Sequence, residues 1–264
     1  MNPVTVAIHG AGGRMGQRLI AVGIADPQIH LVCAMDSDQH PRLGHDVGKI
    51  VGIGAIDIPL SGTLSKPVDV VIDFSSPLAT DKLLNECLKS KSALVLATTG
   101  LSDEQIKKVH QAAEKIAILW SPNTGLAVNI VMKLVQFAAK SLAGHDVDVE
   151  ILERHHRHKV DAPSGTALKI GEIIAAEMGQ TKHQHGRHGI VGERPRDEIG
   201  YHAIRVGDNP GEHTVVFAMQ GELLEVTVRV TNRDCYALGA MAAAKFLADK
   251  APGLYTMYNV LGIS

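Results

Sequence analysis

The stretch VTVAIHGAGGRMGQRLI, residues 4–20, decides the fold of the N-terminal half of the chain. A short apolar strand is predicted at 4–8, a glycine-rich loop follows at 9–16, and a helix comes after it. This order is the context of a dinucleotide-binding turn, because glycines let the backbone approach a pyrophosphate and the helix N-terminus favours its charge. The spacing departs from the plain G-x-G-x-x-G pattern, since Met15 takes the sixth position and Gly16 follows it.

An acidic residue strengthens this interpretation. The next apolar strand, predicted at 31–35, ends at Asp36, twenty residues after Gly16. A carboxylate at this place accepts hydrogen bonds from the adenosine ribose of a dinucleotide. The alternative is that Asp36 only caps a loop, but strand, loop, helix, strand and carboxylate in register favour a cofactor site.

Polar or small residues follow three further predicted strands. The first ends at the segment Phe74-Ser75-Ser76-Pro77, the second at 97–100 and the third at 121–124. The carboxyl ends of parallel strands line the ligand crevice of an open sheet, so these segments are expected to form the floor of the cofactor site. The residues between the first two strands, and those from a capping box at Ser102–Gln105 onward, are predicted to form helices.

The pattern changes after an apolar helix that begins near Leu126. Strands predominate there, with a hairpin turn predicted at Gln220-Gly221. We therefore expect an α/β chain: a doubly wound parallel-sheet (Rossmann) domain at 1–126, completed by 234–264, and an α+β domain at 127–233 on a mixed, largely antiparallel sheet. The face of that sheet left without a helix suggests an oligomer interface. The segment 181–200 is long and polar and is predicted to be a mobile loop.

A cluster of titratable side chains, EILERHHRHKVDAPSGTAL at 150–168, is the candidate site of the second domain. If the chain stays extended after a strand, His155, Arg157 and Lys159 share one face. Ser164 is predicted to be the N-cap of a helix ending near Gly179, so a cationic patch meets a helix N-terminus, which favours anions.

Three interpretations of this cluster compete. It could be a solvated basic turn. The order His-His-x-His could bind zinc, although no cysteine or carboxylate partner stands at a suitable spacing, so no metal is assigned. The third interpretation is a pocket for a small carboxylate substrate, in which histidine and lysine exchange protons.

Bulk composition excludes several classes of protein. The chain has 264 residues, of which 45% are hydrophobic. Its formal net charge of −2 argues against a nucleic-acid footprint or a basic membrane patch. The three cysteines are far apart, which is typical of a reducing compartment. With no apolar run of membrane-spanning length and no signal-peptide pattern, the protein is expected to be cytoplasmic.

Taken together, these motifs resemble the 4-hydroxy-tetrahydrodipicolinate reductase (dihydrodipicolinate reductase) family of lysine and diaminopimelate synthesis. The resemblance covers nearly the whole chain, and its most specific part is ERHHRHKVDAPSGTA. GAGGRMG, DFSSP, ATTG, GRHGIVGER and RVGDNPGEHT agree with it in order and spacing. It implies the reduction of a cyclic imine dicarboxylate by NADH or NADPH in a homotetramer.

The resemblance also implies roles for individual residues. His155 and Lys159 are the expected acid–base pair. The substrate carboxylates are expected to bind His156, Ser164, Gly165 and Thr166. The cofactor is expected to contact Gly10, Ala11, Gly12, Gly13, Arg14, Met15, Asp36, Phe74, Ala97, Thr98, Thr99, Ser121, Pro122, Asn123 and Thr124.

Several positions depart from the family pattern. Many members carry arginine after the ribose carboxylate, where this chain has Ser37, and some carry a second where it has Ser76. Both changes remove partners for a 2′-phosphate, so a lean toward NADH is expected, although Arg14 could supply a cation. Gly125 and Ala127 stand where serine and glycine are expected, and Ala97 replaces a glycine.

Two other functions compete with this one. The chain could be another nicotinamide-dependent dehydrogenase that acts on a different small acid. It could also be a cofactor-sensing module without turnover, although sensing needs no acid–base pair.

Overall fold

The computed structural model describes residues 2–263. The chain divides into two compact units, one formed by residues 2–126 with 233–263 and the other by 127–232. Within the described range, no helix is both long and apolar enough to cross a bilayer.

The first unit is built on a seven-stranded, entirely parallel sheet in the order β12-β6-β5-β4-β1-β2-β3. Its strands are β1 (Val4–His9), β2 (Ile29–Met35), β3 (Leu60–Ser61), β4 (Val70–Asp73), β5 (Ala93–Leu96), β6 (Ala117–Trp120) and β12 (Gly253–Tyr255). Its helices are α1 (Arg14–Ala25), α2 (Val47–Val51), α3 (Pro77–Ser90), α4 (Asp103–Ala113), α7 (Asp234–Leu247) and α8 (Met257–Leu261).

Both faces of this sheet are covered, which explains why its strands are almost continuously apolar. Side chains of α1 and α7 pack with Val6 and Ile8 on one face. Side chains of α3 and α4 pack with Ala7 and Val71 on the other. The predicted doubly wound fold is thereby confirmed, and α7 belongs to its core.

The second unit is built on a mixed five-stranded sheet in the order β11-β10-β7-β9-β8. Its strands are β7 (Asp148–His155), β8 (Lys182–His185), β9 (Glu198–Arg205), β10 (Gly211–Met219) and β11 (Glu222–Val230), and its helices are α5 (Leu126–Leu142), which begins at the last residue of the first unit, and α6 (Gly165–Met178). The pairs β10–β11 and β7–β10 are antiparallel, while β7–β9 and β8–β9 are parallel.

One face of this sheet is apolar and packs with α6. Val149 and Ile151 of β7 are fully buried on it, as are Ile170 and Ile174 of α6. The opposite face of β7 carries Glu150, which accepts hydrogen bonds from arginine and histidine side chains. Burial on one face and ion pairs on the other fit the alternation of apolar and acidic residues along β7.

Some local predictions are confirmed and others are wrong. The capping box of α4, the cap of α6 at Ser164 and the hairpin at Gln220-Gly221 are present. The segment predicted as a mobile loop contains β8, which pairs with β9. The short elements α2, β3, β12 and α8 were not predicted, because two to five residues carry too little periodicity.

Candidate functional site

The carboxyl ends of five neighbouring strands, β6, β5, β4, β1 and β2, meet at one edge of the parallel sheet. The strand order departs from chain order at β1, which lies between β2 and β4. Ligands of open α/β sheets bind outside the carboxyl ends at such a switch point. The segments predicted to contact a cofactor all follow these strand ends.

The glycine loop has the close approaches that require glycine. Gly10 has a φ of +77°, and a Cβ atom there would lie 2.7 Å from the carbonyl oxygen of Phe74. A Cβ atom on Gly16 would overlap the carbonyl oxygen of Gly10, so Gly16 lets α1 pack against the loop. Gly13 is the N-cap of α1, and no side chain of the described residues caps it, so the first turn can present its N–H groups to an anion.

Asp36, the predicted ribose carboxylate, directly follows the last residue of β2. One of its side-chain oxygens accepts a hydrogen bond from the backbone N–H of Gly12 at 2.8 Å, which ties the carboxylate to the glycine loop. His40 approaches the same place, because a Cβ atom on Gly12 would overlap its Nε2 atom. A side chain at position 12 would therefore fill the space between Asp36 and His40.

A cavity of about 620 Å³ lies beside this loop. Five of the predicted cofactor residues line it, namely Gly10, Gly12, Gly13, Asp36 and Phe74. His9, Ser37, Ser75, Ser76 and Lys82 line it as well. The structure thus brings the loop, the carboxylate and the end of β4 to one cavity, and these groups fit the adenosine and pyrophosphate parts of a dinucleotide.

The remaining predicted cofactor residues lie outside the lining of this cavity. They are Ala11, Arg14, Met15, Ala97, Thr98, Thr99, Ser121, Pro122, Asn123 and Thr124. Thr124 is buried and its hydroxyl donates to the carbonyl oxygen of Tyr236 at 2.7 Å, which connects the loop after β6 to α7. The hydroxyl of Ser121 donates to the carbonyl oxygen of Asn123, which shapes the loop after β6.

A buried carboxylate below the loop was missed by sequence reasoning. Asp73, at the end of β4, is fully buried. It accepts hydrogen bonds from His9 Nδ1 and Thr98 Oγ1, both at 2.7 Å, and from the backbone N–H of Ser75. The carboxylate therefore connects the ends of β1, β4 and β5. A polar residue closing an apolar strand was the only sequence signal for it.

The second candidate site begins at the end of β7. His155 is the last residue of this strand and is 8% exposed. Its Nδ1 atom lies 2.5 Å from a carboxylate oxygen of Glu153, which is 1% exposed. Although burial raises the pKa of Glu153, hydrogen bonds from His155 and Arg205 lower it to about 2. His155 is thus held by a buried, ionised carboxylate.

The N-terminus of α6 adjoins this pair. Ser164 is the N-cap, and its hydroxyl accepts from the backbone N–H of Ala167 at 3.2 Å. Its own N–H donates to Glu153 at 3.1 Å. Gly165 is exposed and Thr166 half-buried, so the first turn of α6 is open to a ligand, as an anion site requires.

His213, from β10, was also missed. It is 4% exposed, and its ring lies 5.2 Å from that of His155, edge to face. Burial, and then the positive charge of His155, lower the pKa of His213 to about 4. His213 is therefore neutral at neutral pH and adds a polar but uncharged wall to the site.

The extended conformation predicted after β7 is wrong. The chain turns after His155, and the N–H of Lys159 donates to the carbonyl oxygen of His156 at 3.1 Å. The prediction that His155, Arg157 and Lys159 share one face required an extended chain and therefore does not hold. The Nζ atom of Lys159 lies 2.8 Å from Asp161, and although burial raises the pKa of this carboxyl, the hydrogen bond from Lys159 lowers it.

The histidine-rich segments form no cluster of metal ligands within residues 2–263. The rings of His156 and His158 lie 6.2 Å apart. His183 and His185 stack on the ring of Tyr201. His183 Nδ1 lies 2.8 Å from the Tyr201 hydroxyl, so these histidines pack β8 against β9.

Known proteins match the chain over nearly its whole length. The family model described as dihydrodipicolinate reductase, N-terminus, matches residues 4–124, and that described as dihydrodipicolinate reductase, C-terminus, matches 127–261. A 4-hydroxy-tetrahydrodipicolinate reductase of Rhodopirellula baltica is 53% identical over 99% of this chain and 97% of its own. One from Alkalilimnicola ehrlichii is 45% identical over 98% of both chains.

The fold gives the same result. A dipicolinate-bound dihydrodipicolinate reductase from Paenisporosarcina sp. TG-14 superposes with a TM-score of 0.78 and 25% identity, over 96% of this chain and 97% of its own. Both halves of the chain, and both of its sheets, are thus accounted for by one family. The chain belongs to the dihydrodipicolinate reductase family, whose members are oxidoreductases of lysine biosynthesis.

Proposed function

We propose that the protein reduces 4-hydroxy-tetrahydrodipicolinate, or its dehydrated form, to tetrahydrodipicolinate with a nicotinamide nucleotide. Family membership over both halves of the chain supports the reaction. The observation that carries the assignment of the site is that Glu153 contacts both His155 and the backbone N–H of Ser164, the N-cap of α6. A proton-exchanging ring and an anion-binding helix terminus are thereby held together.

The first unit is proposed as the cofactor domain. The loop at Gly10–Met15, Asp36 and Phe74 would hold the adenosine and pyrophosphate. Gly10, Gly12 and Gly13 of this loop line one cavity together with Asp36 and Phe74, which supports the proposal. The segments 97–99 and 121–124 follow β5 and β6 at the same edge of the sheet and would contact the rest of the nucleotide. When bound, the reduced nicotinamide supplies a hydride to an electron-poor carbon of the substrate ring.

The second unit is proposed as the substrate and oligomerisation domain. The N–H groups of Gly165 and Thr166 point along the axis of α6 at its start and would bind one carboxylate, with the hydroxyls of Ser164 and Thr166 beside them. His156, next to His155, would bind the other. Lys159, whose ammonium lies 2.8 Å from Asp161, would attract a dianion to the same place.

His155 and Lys159 are proposed to handle the proton. In the dehydrated form, addition of hydride moves electrons toward the imine nitrogen, and the ring carbon next to the hydride acceptor must then gain a proton; the hydroxylated form must first lose water. The ammonium of Lys159 would donate this proton, and His155 would polarise the substrate or relay the proton. The turn at 156–159 brings the backbone of Lys159 back toward His156, so both side chains start from one short segment.

Of the two nicotinamide cofactors, we propose that the protein prefers NADH to NADPH. Ser37 and Ser76 line the cavity where arginines would bind a 2′-phosphate. Lys82 also lines it, but its ammonium is 2.8 Å from Asp38 and 2.9 Å from the carbonyl oxygen of Gly62. A 2′-phosphate would therefore have to compete with Asp38 for this cation.

A homotetramer acting in the cytoplasm is the proposed assembly. The second unit exposes Leu223, Leu224 and Ile204 on strands β11 and β9, which a neighbouring copy would cover. Light scattering coupled to size exclusion measures this directly, since a tetramer has four times the 28.1 kDa of one chain. A particle of 28.1 kDa would contradict it.

The decisive experiment follows NADH absorbance after addition of the freshly prepared cyclic imine. Oxidation of NADH that depends on both protein and imine supports the proposed reaction. Oxidation with other small keto or imino acids, but not with this one, indicates a different dehydrogenase. NADH binding without oxidation by any of them indicates a sensing module.

A further inference from the structure

Glu153 lies two residues before His155 on β7, so both side chains are on the buried face of the strand. Four donors surround its carboxylate: His155 Nδ1, two nitrogens of Arg205 at 2.8 and 2.9 Å, and the backbone N–H of Ser164. A buried carboxylate with this many donors has no capacity left for a ligand. Its effect on the reaction must therefore pass through the groups that it holds.

We propose that Glu153 is a positioning residue, which fixes the His155 ring with its proton on Nδ1 and leaves Nε2 as the working nitrogen. This inference rests on the proposed function, in which His155 takes part in proton exchange. An ionised carboxylate only accepts hydrogen bonds, so the nitrogen that faces it must carry the proton. In neutral imidazole the other nitrogen is then a base.

The space around Nε2 agrees with this assignment. Gly211, the first residue of β10, lies beside the ring, and a Cβ atom there would lie 3.0 Å from Nε2. The neighbour on this side is therefore a residue without a side chain. On the side of Nε2 the ring thus faces backbone and hydrogen of Gly211, whereas Nδ1 is enclosed by Glu153.

Arg205 offsets the free-energy cost of burying the charge of Glu153. Its guanidinium binds both oxygens of Glu153 and also donates to the carbonyl oxygen of Asp161 at 2.7 Å. The pair Glu153–Arg205 carries no net charge, so a proton gained by His155 leaves one positive charge beside the anion site. A bound dicarboxylate would stabilise that charge, which couples substrate binding to the protonation of His155.

The same carboxylate links the two halves of the proposed substrate site. Through the N–H of Ser164 it fixes the cap of α6, and through His155 it fixes the end of β7. Loss of the negative charge should therefore disturb the ring more than the helix. An amide oxygen at position 153 can still accept a hydrogen bond from the N–H of Ser164, but a neutral amide no longer balances the charge of Arg205.

The test compares Glu153→Gln with the matched control Glu150→Gln. Glu150 is on the same strand but the opposite face, and it also accepts from two arginines and a histidine, namely Arg187, Arg194 and His202. Glu153→Gln is expected to lower kcat by at least about 10-fold, and by up to about 10⁴-fold, the loss typical when an amide replaces the carboxylate that sets the tautomer of a working histidine. The KM for substrate and the Kd for NADH should change little, and Glu150→Gln should leave all three near wild type.

The ring itself supplies a readout that a purely structural role would not move. In wild-type protein at about pH 9, above the ordinary titration range of histidine, ¹⁵N chemical shifts should show His155 with its proton on Nδ1. Glu153→Gln should mix the two tautomers, and Glu150→Gln should not.

Two results would overturn the inference. One is a His155 ring that carries its proton on Nε2 in the wild type; this measurement does not depend on whether a variant folds. The other is a folded Glu153→Gln with normal kcat and an unchanged tautomer. Absence of turnover in wild-type protein would instead refute the proposed function, and the tautomer measurement would still decide the position of the proton.

Discussion

The hydroxyl oxygen of Ser164 lies 3.0 Å from Nε2 of His213, although the two residues are 49 positions apart in the chain. Both side chains are almost fully buried. The hydroxyl already accepts from the N–H of Ala167, so its remaining lone pair can accept from His213 and its proton is then available to a substrate carboxylate. A neutral His213 thus orients Ser164 without adding charge.

This contact leads to a prediction on stability and pH. Burial and the charge of His155 lower the pKa of His213 from 6.5 to about 4 in the folded state. Above the unfolded-state pKa of 6.5 the histidine is neutral in both states, and the fold has its full stability. As pH falls from 6.5 toward 4, the unfolded chain gains the proton first, so this stability is lost. Between pH 7 and 5, wild-type protein should lose about 2 kcal/mol of unfolding free energy through this residue.

Urea unfolding at pH 7 and pH 5 measures this loss of unfolding free energy. His213→Gln retains an amide near the position of Nε2 and should show a shallower decline than wild type. His30→Gln, at an exposed position on β2, is the control and should keep the wild-type decline. Equal declines in wild type and His213→Gln would contradict a buried, neutral histidine. Glu150 and Glu153, with pKa values of about 2, lose their contributions only below pH 4.5.

The second prediction concerns the cofactor. Ser37→Arg places a guanidinium directly after Asp36, where a 2′-phosphate would lie, and should raise kcat/KM for NADPH by at least about tenfold. A charge-assisted hydrogen bond contributes roughly 1.5–3 kcal/mol, and 1.4 kcal/mol corresponds to tenfold. Wild-type protein should prefer NADH. Ser141→Arg, on the exposed surface of α5, is the control for added charge, and a strong wild-type preference for NADPH would refute the assignment.

The third prediction tests for a dianion site. Pyridine-2,6-dicarboxylate should inhibit competitively with substrate, and its affinity should fall as salt rises, because Lys159 and the α6 N-terminus act through charge. Pyridine-2-carboxylate should bind at least about tenfold more weakly, since it lacks one charge-assisted contact. Equal inhibition by the two compounds would argue against two carboxylate subsites.

Local signals predicted a large part of this molecule. The apolar strands, the glycine loop, the cap at Ser164 and the hairpin at Gln220-Gly221 each depend on residues close together in sequence, so periodicity and turn chemistry predict them. The acid–base pair itself entered through family resemblance. Spacing alone placed Arg157 on the face of His155, which the turn after β7 contradicts.

The groups that support the site could not be predicted in this way. In the sheet, Arg205 of β9 is the register partner of His155, and His213 of β10 is the register partner of Glu153. These residues are far from their partners along the chain, and their meeting depends on the pairing of three strands. Register is set by packing of the whole sheet, so no local pattern shows that Glu153, Arg205 and His213 surround one histidine.

The last prediction separates Lys159 from its neighbours. Its Nζ atom lies 2.8 Å from Asp161, and its side chain is 21% exposed, so an ammonium is held at the edge of the site. Lys159→Ala removes the only proposed acid of that reach and should lower kcat by about 10²–10⁴, the usual effect of a positioned general acid. His155→Gln should lower kcat less if the ring relays the proton, and His156→Gln should act mainly on KM.

Steady-state and single-turnover rates, with NADH affinity measured separately, distinguish these roles. NADH affinity should be nearly unchanged in each variant, because the glycine loop belongs to the other unit. Lys169→Ala is a suitable control, since this lysine of α6 also forms an ion pair, with Glu172 at 3.0 Å, but lies on the exposed surface. A near-normal kcat in Lys159→Ala would remove the lysine from proton transfer and leave it only as a contact for a carboxylate.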